Sequence, residues 1–139
     1  MAGYSGTPLV QKLGIKAGHR VAFLGAPDGF GTTLGQLPPG VAMQANLRGE
    51  PLDVIVLFAP DRGGLTWAFG RAARRLAQTG GLWVAWPKKA SGVPTDLTEA
   101  VVQGVGVDAG LVDNKVCAID DIWAGLRFVI RLQNRRKPK

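Results

Sequence analysis

The chain has 139 residues, of which 46% are hydrophobic and 19% are charged. This is enough apolar material for one compact domain and too little charge for a disordered chain. No apolar run approaches the roughly 20 residues of a membrane-spanning helix, and the start of the chain lacks the features of a signal peptide, so we expect a cytoplasmic protein. Cys117 is the sole cysteine, which excludes an internal disulfide and a zinc site built on paired cysteines.

The net charge of +7 is concentrated at the carboxyl end, where four basic residues stand among the last five. We therefore divide the chain into one domain, residues 1–133, and a basic flexible tail, residues 134–139. Short basic ends are more often solvated than bound to nucleic acid. Weak nucleic-acid binding through this tail is kept as an alternative and is not the main expectation.

Strand and helix patterns alternate over the first hundred residues. Apolar runs predict strands at residues 20–25, 41–46, 52–60 and 82–86. Short helices are expected at 8–13 and 32–37. A longer helix follows Asp61 as its N-cap, with Leu65, Phe69, Ala72 and Leu76 on its apolar side, and the pair Gly80 and Gly81 is expected to end it.

The last third of the chain changes character. Asp96, followed three residues later by Glu99, predicts a capped helix over 97–105. Residues 115–119 and 126–132 then predict two antiparallel strands joined by a short turn, with one face of the last strand solvated. Together the elements predict an α/β, Rossmann-like three-layer domain, whose mostly parallel sheet of about six strands ends in an antiparallel C-terminal hairpin.

This order of elements resembles a reduced class I S-adenosylmethionine-dependent methyltransferase. The segment LGIKAGHRVAFLGAPDG is similar to the helix, turn and first strand of that fold, LDVIVLF to its fourth strand and GGLWVAW to its fifth. More closely, the segments YSGTPLVQKLGIKAGHRV, GLWVAWPKKASGVPTDLTE and GLVDNKVCAIDDIWAGLRFV resemble a small bacterial family of domains of unknown function. That second resemblance implies a bacterial, cytosolic setting and no particular activity.

The methyltransferase resemblance implies a cofactor site after the first strand. Its candidate residues are Gly25, Asp28, Gly29 and Asp61, with S-adenosylmethionine as the possible cofactor. The glycine turn of the fold lets the backbone approach a ligand, but this chain has Pro27 inside the turn and Asn46 near the place of the usual acidic residue. The alternative is a tight turn between strand and helix that binds nothing.

A second candidate site follows the strand at 82–86. Trp86, Lys88, Lys89 and Ser91 stand where open α/β sheets bind ligands, and two ammonium groups with a hydroxyl can hold a phosphate or carboxylate. Trp86 is also placed to stack on a ring, whereas the other tryptophans are expected to pack in the core or at its edge. The alternative is that the lysines are solvated loop charges and that Asp96 does no more than cap its helix.

The remaining polar candidates favour structural roles. Asp120 and Asp121 in the hairpin are expected to be turn residues, so no metal site is predicted. His19 precedes the first strand, at the edge opposite the expected ligand side. Cys117 in an apolar strand is expected to keep a high pKa.

The leading functional hypothesis is a non-catalytic or regulatory module that binds a small anionic ligand or a partner protein. A reduced methyltransferase and a weak nucleic-acid binder are the alternatives, and the sequence does not decide whether the chain is an enzyme. A homodimer through the edge of the strand at 126–132 is also kept open.

Overall fold

The structure is a computed structural model that describes residues 7–135. Residues 1–6 and residues 136–139, which hold most of the predicted basic tail, lie outside the described part. In chain order the elements are α1 (Leu9–Lys12), β1 (Arg20–Leu24), α2 (Phe30–Leu34), β2 (Ala42–Gln44), β3 (Leu52–Phe58), α3 (Arg62–Ala73), β4 (Leu76–Pro87), α4 (Glu99–Asp108), β5 (Leu111–Ala118) and β6 (Trp123–Ile130), with single 3₁₀ turns at Lys89–Ser91 and Leu132–Asn134.

One six-stranded sheet, in the order β2-β1-β3-β4-β6-β5, organises the chain. The first four strands are parallel, and β6 pairs antiparallel with both β4 and β5. This confirms the predicted α/β fold with its C-terminal antiparallel hairpin. Because β1 to β4 run the same way, their carboxyl ends meet at one edge of the sheet, and the segments holding Asp28, Asp61 and Lys88 all leave from that edge.

Apolar side chains fill both faces of the sheet. On one face, Leu65 and Phe69 of α3 and Val102 of α4 pack against alternate residues of the central strands. On the other face, Leu13 and Phe30 pack against the opposite residues of the same strands. The continuous apolar run of β3 is therefore explained by burial on both sides, as its sequence predicted.

The end of α3 differs from the prediction. The helix ends at Ala73 and the chain re-enters the sheet at Leu76, so Gly80 and Gly81 lie within β4 and do not end the helix. A side chain at Gly80 would bring a Cβ to 2.7 Å from the carbonyl oxygen of Asp53 on the adjacent strand. These glycines lie where neighbouring groups approach the strand closely. The local sequence alone does not distinguish such a strand glycine from one that ends a helix.

Two further predictions about the second half of the chain are wrong in detail. Thr98 is the N-cap of α4, since its hydroxyl accepts the Val101 N–H at 3.2 Å. Asp96 instead accepts the Arg62 N–H at the start of α3, at 2.8 Å. The expected pairing edge at 126–132 is also absent, because β6 lies between β4 and β5.

None of the helices within residues 7–135 combines the length and the apolar character that a bilayer crossing requires.

Candidate functional site

A cleft of about 760 Å³ opens at the carboxyl ends of β1 and β3. This volume lies within the range of small-molecule sites, and the position is the one at which open α/β sheets bind ligands. Its walls come from the ends of the two strands, the segment after β2 and one side of α3. We call it the arginine cleft, after the four arginines among its lining residues: Leu24, Gly25, Asn46, Leu47, Arg48, Leu57, Phe58, Ala59, Pro60, Gly64, Trp67, Ala68, Arg71, Arg74 and Arg75.

Helix α3 supplies the charged side of the cleft. Asp61 caps the helix, because its Oδ1 accepts the Gly64 N–H at 2.8 Å. From that start, Trp67, Arg71 and Arg74 recur at spacings of four and three residues and so share one helical face. The buried face of the same helix holds the apolar residues that anchor it to the sheet.

Trp67 is the aromatic group of the cleft. Its side chain is 70% exposed, and the Arg71 guanidinium carbon lies 4.9 Å from the centre of its ring. An exposed ring of this size can stack on a planar group of a ligand. Trp67 is therefore not packed in the core, and its spacing from Arg71 and Arg74 on the polar side of the helix is the sequence signal for an exposed position.

The four arginines have different roles. Arg75 donates from Nε to the Leu47 carbonyl oxygen at 3.0 Å and from its guanidinium to the Gly49 carbonyl, so it holds the segment after β2 against α3. Arg48, Arg71 and Arg74 are exposed and make no ion pair with any acidic side chain in the described part of the chain. Three cations therefore face the cleft without a carboxylate to neutralise them.

The lining contributed by residues 7–135 contains no Asp or Glu. Asn46 stands where the sheet edge of dinucleotide-binding folds carries an acidic residue. Its side-chain oxygen accepts the Arg48 N–H at 3.0 Å and a Gln44 side-chain N–H at 3.2 Å. The cleft is thus apolar at its floor and positive at its rim.

Of the four predicted cofactor-binding residues, the structure brings Gly25 into the cleft. Gly25 has φ 72°, a conformation that other residues rarely adopt, and a Cβ there would lie 3.2 Å from the Phe58 carbonyl oxygen. Asp28 and Gly29 form the turn before α2, and Asp61 is the N-cap of α3. These three are not among the lining residues, and a ligand role for them stays a prediction.

The predicted anion-binding group after β4 is a hydrogen-bonded turn. Trp86 is 5% exposed in the core, which leaves little of its ring for stacking on a ligand. The Lys88 N–H donates to the Ile122 carbonyl at 2.7 Å, and the Ser91 hydroxyl donates to the Lys88 carbonyl at 2.6 Å. The ammonium group of Lys89 is on an exposed residue. Anion binding by this group stays a prediction, and none of the four residues lines the arginine cleft.

The remaining predicted candidates have structural surroundings. Asp120 accepts the N–H groups of Ile122 and Trp123, both at 2.8 Å, as expected of a turn residue. Burial raises the pKa of the Cys117 thiol above its ordinary value, the direction predicted. Within residues 7–135, no group of three or more His, Cys, Asp or Glu side chains is placed to hold a metal ion.

Comparison with solved structures places this geometry in a known fold. The chain has the fold of the S-adenosylmethionine-dependent methyltransferases. It superposes on magnesium protoporphyrin IX methyltransferase from Synechocystis PCC 6803 with bound S-adenosylmethionine (TM-score 0.62, 14% identity, 88% of this chain and 74% of that one). An S-adenosylmethionine-dependent methyltransferase from Aquifex aeolicus gives TM-score 0.60 at 16% identity over 88% of both chains. The pyocyanin biosynthetic protein PhzM gives 0.67 at 11% identity, over 88% of this chain and 53% of that one.

The sequence comparisons are negative. No family model and no curated protein matches the chain. The resemblance to a bacterial family of domains of unknown function therefore stays a prediction, and the likeness to methyltransferases is one of fold.

Proposed function

We propose that the chain is a ligand-binding module of methyltransferase fold whose arginine cleft holds a phosphorylated nucleoside. The observation that carries the proposal is the set of three guanidinium groups, from Arg48, Arg71 and Arg74, around an apolar cleft at the ligand edge of the sheet. None of the three pairs with a carboxylate from residues 7–135. Guanidinium groups match phosphate oxygens in both geometry and charge. The anionic ligand expected from the sequence is retained, but its site moves from the lysines after β4 to the arginines of α3.

The two parts of such a ligand correspond to two parts of the cleft. The exposed ring of Trp67 and the apolar floor around Leu57 and Phe58 suit a planar base. The arginine rim suits the phosphates. A base or a phosphate alone would use half of these groups, so we expect a nucleotide to bind more tightly than either fragment.

The residues after β2 favour a ligand that carries a phosphate over one with free ribose hydroxyls. In dinucleotide-binding folds an acidic residue after the second strand accepts hydrogen bonds from the ribose hydroxyls, whereas an arginine nearby accommodates a phosphate on the ribose. Here the corresponding residues that line the cleft are Asn46 and Arg48. The donor chemistry of this segment therefore favours a ligand with a phosphate at or near the ribose.

A methyltransferase is the second candidate, and the shared fold with enzymes solved with S-adenosylmethionine or its product bound favours it. The apolar floor and Gly25 suit the adenosine part of that cofactor. The positive rim suits its carboxylate but opposes its sulfonium and ammonium groups, and the lining from residues 7–135 offers no carboxylate for the ribose. The residues present fit the cofactor in part, so we derive no methyl-transfer step.

The test compares ADP, adenosine, S-adenosylmethionine and S-adenosylhomocysteine by thermal shift and calorimetry. A ligand present at 100 times its dissociation constant stabilises the native state by about 2.7 kcal/mol, and we expect ADP to give the largest rise in Tm. Arg71→Gln and Arg74→Gln should each weaken ADP binding about tenfold, because hydrogen bonds to charged groups contribute roughly 1.5–3 kcal/mol.

Arg62→Gln is the matched control, since Arg62 is exposed on the same helix and does not line the cleft. It should leave ADP binding unchanged. Stabilisation by S-adenosylhomocysteine with no response to ADP would reject the nucleotide proposal and favour the methyltransferase. Equal loss of affinity in Arg62→Gln would show that net charge, and not the cleft, governs binding.

A further inference from the structure

A second cavity, of about 420 Å³, lies at the opposite edge of the sheet from the arginine cleft. Its lining includes the segment between α1 and β1, the start of β3 and the facing side chains of β5 and β6. Five basic side chains line it: Lys12, Lys16, His19, Lys115 and Arg127. We call it the basic pocket.

One carboxylate accompanies these five groups among the lining residues described. It belongs to Asp53, whose Oδ2 accepts the Arg20 backbone N–H at 2.8 Å. That hydrogen bond ties the carboxylate to the start of β1. Among the described lining residues, the pocket therefore holds Lys16, Lys115 and Arg127 beside a single carboxylate that already accepts a hydrogen bond.

The side chain of Arg127 is positioned by its place in the sheet. Its strand partner in β4 is Trp83, and its guanidinium lies across the backbone of Gly81, where an added Cβ would come within 2.7 Å of the guanidinium carbon. Arg127 donates from Nη1 to the amide oxygen of Asn114 at 3.3 Å, a neutral partner. Burial and the positive charge of the nearby Arg135 lower the pKa of Arg127.

Convergence of like charges is unfavourable, most of all beside a half-buried cation such as Arg127, and a bound anion relieves it. Folding nevertheless brings Lys115 and Arg127 to adjacent positions on paired strands and adds Lys16 from a separate segment. A phosphoryl group offers three oxygens and up to two negative charges, and so can accept hydrogen bonds from several cations at once. The Thr79 hydroxyl, also in the lining, is one more donor.

We propose that the basic pocket is a second anion site, separate from the arginine cleft, that binds a small phosphate-containing ligand such as inorganic phosphate, pyrophosphate or a phosphomonoester. The inference does not depend on the nucleotide proposal, because the two cavities share no lining residue and lie at opposite edges of the sheet.

His19 supplies a reporter inside this pocket, because it is the single histidine of the chain. Its Nδ1 accepts the Lys16 backbone N–H at 3.1 Å, so the neutral ring carries its proton on Nε2. An anion bound nearby changes the electrostatic environment of the ring and so moves its resonances. The imidazole resonances of the unmodified protein can therefore be followed by NMR without assigning the rest of the spectrum.

The experiment titrates the full chain with pyrophosphate, inorganic phosphate and phenyl phosphate while His19 is monitored, with sodium chloride at matched ionic strength as the control. We expect a saturable shift of the His19 resonances with at least one phosphate compound. Saturation by phenyl phosphate at a lower concentration than by the inorganic ions would assign the site to phosphomonoesters. The reverse order would assign it to the free ions.

Two variants test the assignment to the pocket. The double substitution Lys16→Gln and Lys115→Gln changes exposed side chains and should weaken binding at least about tenfold. Arg127→Gln should do the same, and the double variant keeps the test decisive should Arg127→Gln fail to fold. Arg131→Gln, just beyond β6 and outside the lining, should bind as the unmodified chain does.

The proposal is overturned if no phosphate compound moves the His19 resonances beyond the sodium chloride control. It is also overturned if Arg131→Gln loses as much affinity as the double variant, because net charge would then explain the binding. Loss of phosphate binding in Arg71→Gln, with the pocket variants unaffected, would place the anion in the arginine cleft instead.

Discussion

The packing of α4 on the antiparallel hairpin can be tested by two alanine substitutions of opposite expected sign. Gly104 and Gly106 lie two residues apart in the same helix. Gly104 is exposed, and a Cβ added there would have no atom within 4 Å, whereas a Cβ at Gly106 would overlap the Phe128 ring, with its Cζ at 2.6 Å. Phe128 is fully buried and packs edge-on against Phe69 with 5.2 Å between ring centres, so its ring has little space to move.

The two substitutions share one favourable contribution and differ in one unfavourable contribution. Alanine is better than glycine in a helix interior by about 0.8–1.0 kcal/mol. Overpacking a filled core costs roughly 1–3 kcal/mol, and a contact this short against a fixed ring belongs at the upper end. Gly104→Ala should therefore stabilise the fold by about 1 kcal/mol, and Gly106→Ala should destabilise it by about 2 kcal/mol.

For a chain of this length, 1 kcal/mol corresponds to a Tm change of about 4 °C. Differential scanning calorimetry should show a rise of about 4 °C for Gly104→Ala and a fall of about 8 °C for Gly106→Ala, with chemical denaturation giving the same order. A Tm for Gly106→Ala equal to or above that of the unmodified chain would refute the close contact between α4 and β6.

Four other predictions follow from the backbone conformations, contacts and burial described above. Gly25→Ala and Gly29→Ala should each lower the free energy of unfolding by about 1–2 kcal/mol because both positions have positive φ. We expect Gly25→Ala alone to weaken ADP binding measured by calorimetry. Equal effects of the two substitutions on ADP affinity would contradict the assignment of ADP to the arginine cleft. Asp61→Ala should cost about 1 kcal/mol of stability through loss of the cap and leave ADP affinity unchanged, and a loss of affinity would restore Asp61 as a ligand-binding residue. Trp67→Ala should weaken the free energy of ADP binding by roughly 1–3 kcal/mol and change Tm little, because the side chain is 70% exposed. A large fall in Tm with unchanged ADP binding would show that Trp67 is a packing residue. Alkylation of Cys117 should increase with pH around a midpoint above that of a solvated cysteine, because burial penalises the reactive thiolate. The midpoint should fall when the same measurement is made in denaturant.

The order of strands and helices could be predicted from local pattern. The apolar run of β3 requires cover on both faces, the Asp61 cap fixes the start of α3, and the alternation of elements leads to a parallel sheet with right-handed connections. These features depend on residues close together in the chain. The predicted bounds of α2, β2, β5 and β6 differ from the observed ones by a few residues, because the ends of short elements depend on contacts with distant segments.

The candidate sites could be predicted far less well. The sequence predicts that Lys88, Lys89 and Ser91 follow a strand at the ligand edge, and the structure places them there. The structure shows that the polar groups of their segment hydrogen-bond to one another, while the arginine cleft lies one strand away. Arg48 and Arg71 are 23 positions apart in the chain, and no local pattern indicates that they line the same cavity.

We could predict the fold class, the N-cap of α3 and the antiparallel hairpin from the sequence, because helix caps, turns and hydrophobic periodicity act over a few residues. Which basic side chains line the same cavity depends on the tertiary structure. Arg48, Arg71 and Arg74 line one cleft because the segment after β2 and helix α3 both lie at the carboxyl ends of the parallel strands. Lys16, Lys115 and Arg127 line the other pocket because the segment after α1 and the hairpin meet at the amino ends of those strands. Such convergence depends on the order of strands in the sheet, which is a property of long-range pairing and not of any one segment.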